Sequence, residues 1–382
     1  MIDPYIGREQ TRAKHYILRR YLQALAFKVL TFSDVAYIDG FSGPWESRTE
    51  DFSDSSFMIA ISVLKDAQRR IFETTHKLKR IRCFFCETDG KAFAHLEKAV
   101  TSFHEPSNGF EVKLHHGKFE EAVADAVAFT GNAFPLIFID PTGWTGYPFE
   151  TLRPLFAPRK CEVVINFMYE FVNRFSNSDD ATTIESLNPI LGGPGWRTRL
   201  DSGLARGDAV AKLFHETLKT AGGFEFLVSA RIDKATADRP HYFITYATKN
   251  LEGLKTFRQT EYDALREHER VRAHARTRKR NDVSGMNDMF SDHDDAESER
   301  MVERSIDAQL DLASDALLRL LSSGGELSFD QLVARLLELF MLRETNVRDI
   351  CVSLAKSGQI ESTWHGRTRK PQSRDVIRLK GA

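Results

Sequence analysis

The chain has little that would fix a function on its own. Its 382 residues include only four cysteines, and of these only Cys83 and Cys86 stand close together, within Ile81-Arg82-Cys83-Phe84-Phe85-Cys86. That run reads as a strand, where residues three apart point to opposite faces, so the pair is read as core and not as a redox or metal motif. So few cysteines fit a reducing, cytoplasmic compartment. There is no His-x-x-x-His and no Cys/His group at zinc spacing, so no metal site is expected. A G-x-x-x-x-G-K-[ST] loop for phosphates is missing, as is a G-x-S-x-G elbow for a serine nucleophile. No window approaches the roughly 20 apolar residues of a membrane span, and Met1 to Gln10 lacks the apolar run of a secretory signal, so no membrane partner is expected. Net charge is nearly nil, with 53 Lys and Arg against 54 Asp and Glu, so overall charge points to no partner.

What is present is a large apolar inventory, 42% of the residues with 28 Phe, in a chain longer than a usual single domain. A helical pattern over 8–30 leads into a strand at 35–39. Further strands are expected at 81–87, 111–116, 136–140 and 161–167, with helices near 56–70, 90–101 and 118–129 between them. Phe224–Ala230 and His241–Thr248 read as a late antiparallel pair. This alternation predicts a doubly wound α/β sheet with helices on both faces over residues 1–262. Residues 263–304 are charged, basic up to Arg280 and then acidic, and 281–299 reads as a mobile linker.

From 305 to 382 three apolar-patterned helices follow, the last over Thr345–Lys356 with Thr345 as N-cap and Gly358 past its end. Two short strands, Ile360–Trp364 and Val376–Leu379, flank a basic tip. This is the pattern of a small C-terminal winged helix, with Arg348, Arg367, Arg369, Lys370 and Arg374 as its contacts to DNA or RNA, joined by Arg343 and Lys356. A winged helix used for protein contacts is the bland alternative.

Two strand ends carry the chemistry. Tyr37-Ile38-Asp39-Gly40-Phe41-Ser42-Gly43-Pro44 and Phe138-Ile139-Asp140-Pro141-Thr142-Gly143-Trp144 each stop on an acid and turn on Gly and Pro. In open α/β sheets ligands bind beyond the carboxyl ends of strands, where strand order reverses. Gly40 and Gly43 would let backbone approach a ligand, and Glu87 at the end of the second strand would bind ribose hydroxyls. Asp39 would take an ammonium group or hold its turn by accepting backbone N–H. Asp140, Pro141 and Trp144 would line the substrate side, with Trp144 or Tyr147 stacking on a planar group. Asn166 and Asn173-Arg174 are read as lining the same cleft, His15 as helix surface or pocket rim, and His115-His116 as a surface pair.

The ordered set resembles the three-Cys-motif partner (TcmP) family. It comprises Lys14-His15-Tyr16-Ile17-Leu18-Arg19-Arg20-Tyr21-Leu22, the two turns above, Cys86-Glu87-Thr88-Asp89, Asn166-Phe167 with Asn173-Arg174, and His241–Thr248 followed by Gly253. The resemblance covers roughly residues 8–262. It implies a Rossmann-like class I methyltransferase core that binds S-adenosylmethionine through Asp39, Gly40, Phe41, Gly43 and Glu87. It also implies that Asp140-Pro141 stands where amino-methyltransferases keep their catalytic loop, and that a three-Cys-motif protein is a partner. Two departures stand out: Trp45 replaces a usual glycine, and Asp140-Pro141-Thr142-Gly143 lacks the second proline and aromatic of Asp-Pro-Pro-Tyr.

Three functions follow as expectations. The first is a methyltransferase acting on nucleic acid or an associated factor. The second is a non-catalytic nucleic-acid-binding partner on the same scaffold. The third is a Mg²⁺-dependent nuclease using Asp39, Glu87, Asp89 and Asp140 as oxygen ligands.

Overall fold

The computed structural model describes residues 3–43, 47–284, 291–364 and 367–381, and divides into two compact units, Met1–Asn250 and Leu251–Ala382. The first unit runs α1 (Glu9–Val29), β1 (Val35–Asp39), α2 (Ser56–Thr75), β2 (Ile81–Glu87), α3 (Gly90–Val100), β3 (Phe110–His116), α4 (Phe119–Thr130) and β4 (Phe134–Ile139). It continues with α5 (Phe149–Phe156), β5 (Glu162–Phe167), α6 (Tyr169–Phe175), α7 (Ala181–Leu187), α8 (Arg206–Gly222), β6 (Phe226–Lys234) and β7 (Ala237–Thr248). The result is a mixed α/β fold with a mostly parallel sheet flanked by helices, compatible with a Rossmann-like arrangement.

The strand order is β3-β2-β1-β4-β5-β7-β6, and β7 runs antiparallel to both its neighbours. β1, β2, β4 and β5 are apolar almost throughout because helices cover both faces of a parallel sheet. Every residue of β1 and of β5 is buried. α1 shows the complementary pattern, burying Ala13, Ile17, Leu18, Tyr21, Leu22 and Leu25 along one stripe. The chain builds outward from β1 to β3, then returns to place β4 on the other side of β1. The reversal therefore lies between β1 and β4.

Inside this apolar body Tyr21, Glu162 and Tyr246 form a buried polar cluster. The Tyr21 hydroxyl donates to Glu162 Oε2 at 2.6 Å and lies 2.5 Å from the Tyr246 hydroxyl. Burial pushes the Glu162 carboxyl up to about 7, against the pull of the Tyr21 and Tyr246 hydroxyls.

The second unit comprises α9 (Leu251–Ser284), α10 (Ser291–Gly324), β8 (Leu327–Ser328), α11 (Phe329–Leu339), α12 (Glu344–Lys356) and β9 (Val376–Ile377). Its boundary precedes the expected divide at 262 because α9 starts at Leu251, directly after β7, and carries on through the charged stretch. The expected linker at 281–299 falls partly outside the described residues; 281–284 and 291–299 are helical backbone.

Two further expectations are corrected. Ile360–Trp364 is not a strand: it contributes only an isolated bridge between Ile360 and Leu379, and β9 pairs instead with β8 just before α11. A two-residue strand is too short for periodicity to reveal. Thr345 is inside α12; Arg343 holds the N-cap position, and its N–H donates to Asn346 Oδ1 at 3.0 Å.

Because Glu162 binds its proton more tightly folded than unfolded, the stability it contributes is complete below about pH 4.5 and is lost as pH rises through about 7. Glu162→Gln removes this loss. Chemical denaturation from pH 5 to 8 should show the wild type losing roughly 3 kcal/mol relative to the variant; parallel profiles would contradict it.

Candidate functional site

The register sets the site. β1 pairs with β2 on one side and β4 on the other, with Asp39 level with Phe85 and with Phe138. Glu87 and Asp140 each lie two residues beyond those partners, so Asp39, Glu87 and Asp140 share one edge of three adjacent strands, at the reversal of strand order.

Asp39 is fully buried. Its Oδ1 accepts from the Phe41 N–H at 3.0 Å, and its Oδ2 accepts from the Ser56 hydroxyl at 2.9 Å and the Tyr37 hydroxyl at 3.3 Å. Burial raises its carboxyl to about 6, opposed by the Phe41 and Ser56 hydrogen bonds and helped by the charge of Asp140. Of the two roles open to it, it fills the second: it holds its own turn and ties it to the start of α2. Gly40 is required by packing, since a Cβ there would lie 2.5 Å from the Phe119 ring on α4. Phe41 is half-buried, edge-on to Phe119 and Tyr147, and Gly43 is half-buried beside it. Trp45 lies outside the described residues.

Glu87 is buried, and its Oε1 accepts from the Asp89 N–H at 2.7 Å and from the Thr88 hydroxyl at 3.3 Å. Asp89 in turn caps α3 through the Lys91 and Ala92 N–H groups.

Asp140 is the centre of a second group. The Lys14 Nζ, from α1, donates to its Oδ2 at 2.6 Å, and the Asn166 Nδ2, from the end of β5, donates to its Oδ1 at 2.7 Å. Asn166 is 3% exposed, and its Oδ1 has no hydrogen-bond partner. Pro141 is buried, while a Cβ on Gly143 would meet nothing within 4 Å. Trp144 donates its indole N–H to the Ser186 hydroxyl at 2.8 Å and packs against Phe175 on α6.

Several residues are not where the motifs placed them. Tyr147 is not a stacking platform: it is fully buried between Phe41 and Phe149. His15 is not at the surface; it is buried against the Tyr5 hydroxyl at 3.0 Å, and burial holds its imidazole well below the usual range. Cys83 and Cys86 are buried, as expected of core residues, and burial pushes the Cys86 thiol up to about 12. The carboxylates proposed for Mg²⁺ serve separate turns and donors. Among the described residues, no group of three or more His, Cys, Asp or Glu is placed to hold a metal.

Sequence reasoning missed Lys14 as a partner of Asp140, because 126 residues separate the two. Its position in the entry-helix motif was the available pointer. It also missed Ser56, which reads as an ordinary first residue of a helix. A separate groove of about 970 Å³ runs along α2 and α3, lined by Arg19, Phe52, Lys65, His95 and Lys98 among others, and includes none of the strand-end residues.

In the second unit the expected basic residues divide. Arg348 is held by the Pro371 carbonyl, by Glu344 at 2.6 Å and over the Phe329 ring. Arg367 pairs with Asp375 at 2.6 Å, and Lys370 pairs with Asp349. Arg369, Arg374 and Lys356 are exposed and make no ion pair with described residues.

No family model matches the chain, and no curated protein matches it. Among solved structures it is similar to the crystal structure of protein LPL1258 from Legionella pneumophila str. Philadelphia 1, family-model DUF519. The identity is 11% and the TM-score 0.33, over 62% of this chain and 85% of that one. Overlap at that level decides nothing about activity. Among the described residues, no helix is long and apolar enough to cross a membrane.

Gly40→Ala should destabilise the protein by about 1–3 kcal/mol, because the new methyl must displace the Phe119 ring. Combining it with Phe119→Leu should recover part of that loss in urea melts. Equal stability of Gly40→Ala and wild type would show that the glycine is not a packing requirement.

Proposed function

We propose that the Met1–Asn250 unit is an S-adenosylmethionine-dependent methyltransferase of the three-Cys-motif partner type, and that it acts on nucleic acid or an associated factor. The observation that carries this reading is the alignment of Asp39, Glu87 and Asp140 on three adjacent strand ends at the reversal of strand order. The order of the sheet, with β7 inserted antiparallel between β5 and β6, is that expected of a class I methyltransferase core and supports the same reading.

In it, Asp39 keeps the first turn closed, and the turn's backbone with Phe41 and Gly43 faces the cofactor. Glu87 offers its carboxylate to ribose hydroxyls, and Asp140 faces the group to be methylated. Methyl transfer requires in-line placement of donor and acceptor more than acid–base strength, which suits a site without a histidine or cysteine nucleophile. Calorimetry with S-adenosylmethionine and S-adenosylhomocysteine should show binding of both, weakened at least about tenfold (roughly 1.4 kcal/mol) by Glu87→Ala. Absence of binding to wild type would overturn the reading.

Within Leu251–Ala382, we read β8-α11-α12-β9 as a winged helix that contacts DNA or RNA. β8 pairing with β9 and the exposed Arg369, Arg374 and Lys356 support this. The engaged Arg348 is a brace in this reading, holding α12 to Pro371 and Phe329. Arg369→Glu with Arg374→Glu should lower affinity for a mixed-sequence duplex or single strand and flatten its salt dependence by about one to two units of log–log slope. An unchanged slope would remove these residues from the interface.

The second reading, a non-catalytic partner on the same scaffold, is favoured by one observation. Both oxygens of Asp140 are already met, by Lys14 and Asn166, so an acceptor has to displace a resident donor. Cofactor binding without methyl transfer to any acceptor would support it.

A further inference from the structure

The geometry around Asp140 points to more than a salt bridge. Lys14 reaches it from the first turns of α1, a segment anchored by the His15–Tyr5 contact, by the Arg8–Asp54 ion pair and by the Tyr242 hydroxyl on the Gln10 carbonyl. The Lys14 side chain is only 14% exposed, unusual for a residue whose charge ordinarily stays in water. Two acceptors stand at this place. Asp140 Oδ2 takes one N–H of the Lys14 amino group at 2.6 Å, and Asn166 Oδ1 is a buried acceptor with no partner. An orphaned buried acceptor costs about 1–3 kcal/mol, so a second N–H donor would be favoured there. The assignment of the Asn166 amide is fixed by its other end, since its Nδ2 faces a carboxylate.

We propose that Asp140 and Asn166 form an amino-group subsite, that Lys14 is its resident, and that Lys14 Nζ accepts a methyl group in cis from a sulfonium methyl donor. This rests on the reading given under Proposed function. The ammonium first passes a proton to Asp140 and on to water, leaving a lone pair on Nζ. That pair forms the N–CH₃ bond as the S–CH₃ bond breaks; the bonding electrons stay on sulfur, and the sulfonium becomes a neutral thioether. The methylated nitrogen carries the positive charge that sulfur has lost. Asn166 Nδ2 holds the other carboxylate oxygen of Asp140 and so keeps Oδ2 turned to the Lys14 amino group.

The full chain is incubated with S-adenosylmethionine carrying a deuterated methyl group, cleaved with a protease that spares lysine, and read by mass spectrometry, with calorimetry on the same preparation. The label should appear on Lys14, fall by more than tenfold in Asp140→Asn, and be suppressed by S-adenosylhomocysteine. It should form faster as pH rises, because only the neutral amine has a lone pair. In Lys14→Arg the label should vanish while cofactor binding persists. Cofactor binding with no label on Lys14, or with label only on other lysines, overturns this inference and leaves the proposed function standing. Absence of cofactor binding overturns both.

Discussion

The first unit depends on the burial of β1. All five of its residues are buried and paired on both sides, by β2 and by β4. A strand hemmed in this way has no exposed backbone, so it must be apolar up to the point where the sheet ends. The first polar residue, Asp39, therefore marks the sheet's edge, and its carboxylate satisfies the N–H and hydroxyl groups that the turn exposes there. The Gly40 backbone then passes under Phe119 with no room for a side chain. The placing of α2, of α4 and of the neighbouring strand ends is tied to those few atoms.

The strand-end acids, similar in sequence, are held in different surroundings. Asp39 is fully enclosed, and its carboxyl is raised by burial. Glu87 is buried, and its Oε1 accepts from the Asp89 N–H and the Thr88 hydroxyl of the turn that follows it. Asp140 is tied to a lysine and an asparagine brought from two other elements. Asp140 is met by donors 126 and 26 residues away along the chain, and Asn166 Oδ1 beside it has no hydrogen-bond partner. This distinguishes an acid that closes its own turn from one held by donors on other elements.

The second unit illustrates a different economy. Its basic residues look alike in sequence, yet Arg348 is braced by internal partners, Arg367 and Lys370 pair with acids while staying exposed, and Arg369, Arg374 and Lys356 are exposed with no ion pair to described residues. A count of positive charges overstates the surface available to a polyanion. What an arginine contributes depends on whether an acid or a carbonyl lies within reach, and spacing along the chain does not reveal that.

The local sequence by itself determined the strands and the places where they stop, because a doubly covered parallel strand must be continuously apolar and its end must turn. That is why the strand at 35–39, the acid turns and the late antiparallel pair were legible. It also marked Asp39, Glu87 and Asp140 as residues of one edge. The tertiary structure decided which atoms these acids face. Lys14 meets Asp140 across 126 residues, Tyr147 turns into the core, and β9 pairs back to β8. Such contacts come from how covered layers close on each other, and apolar periodicity reports only which face of an element is covered.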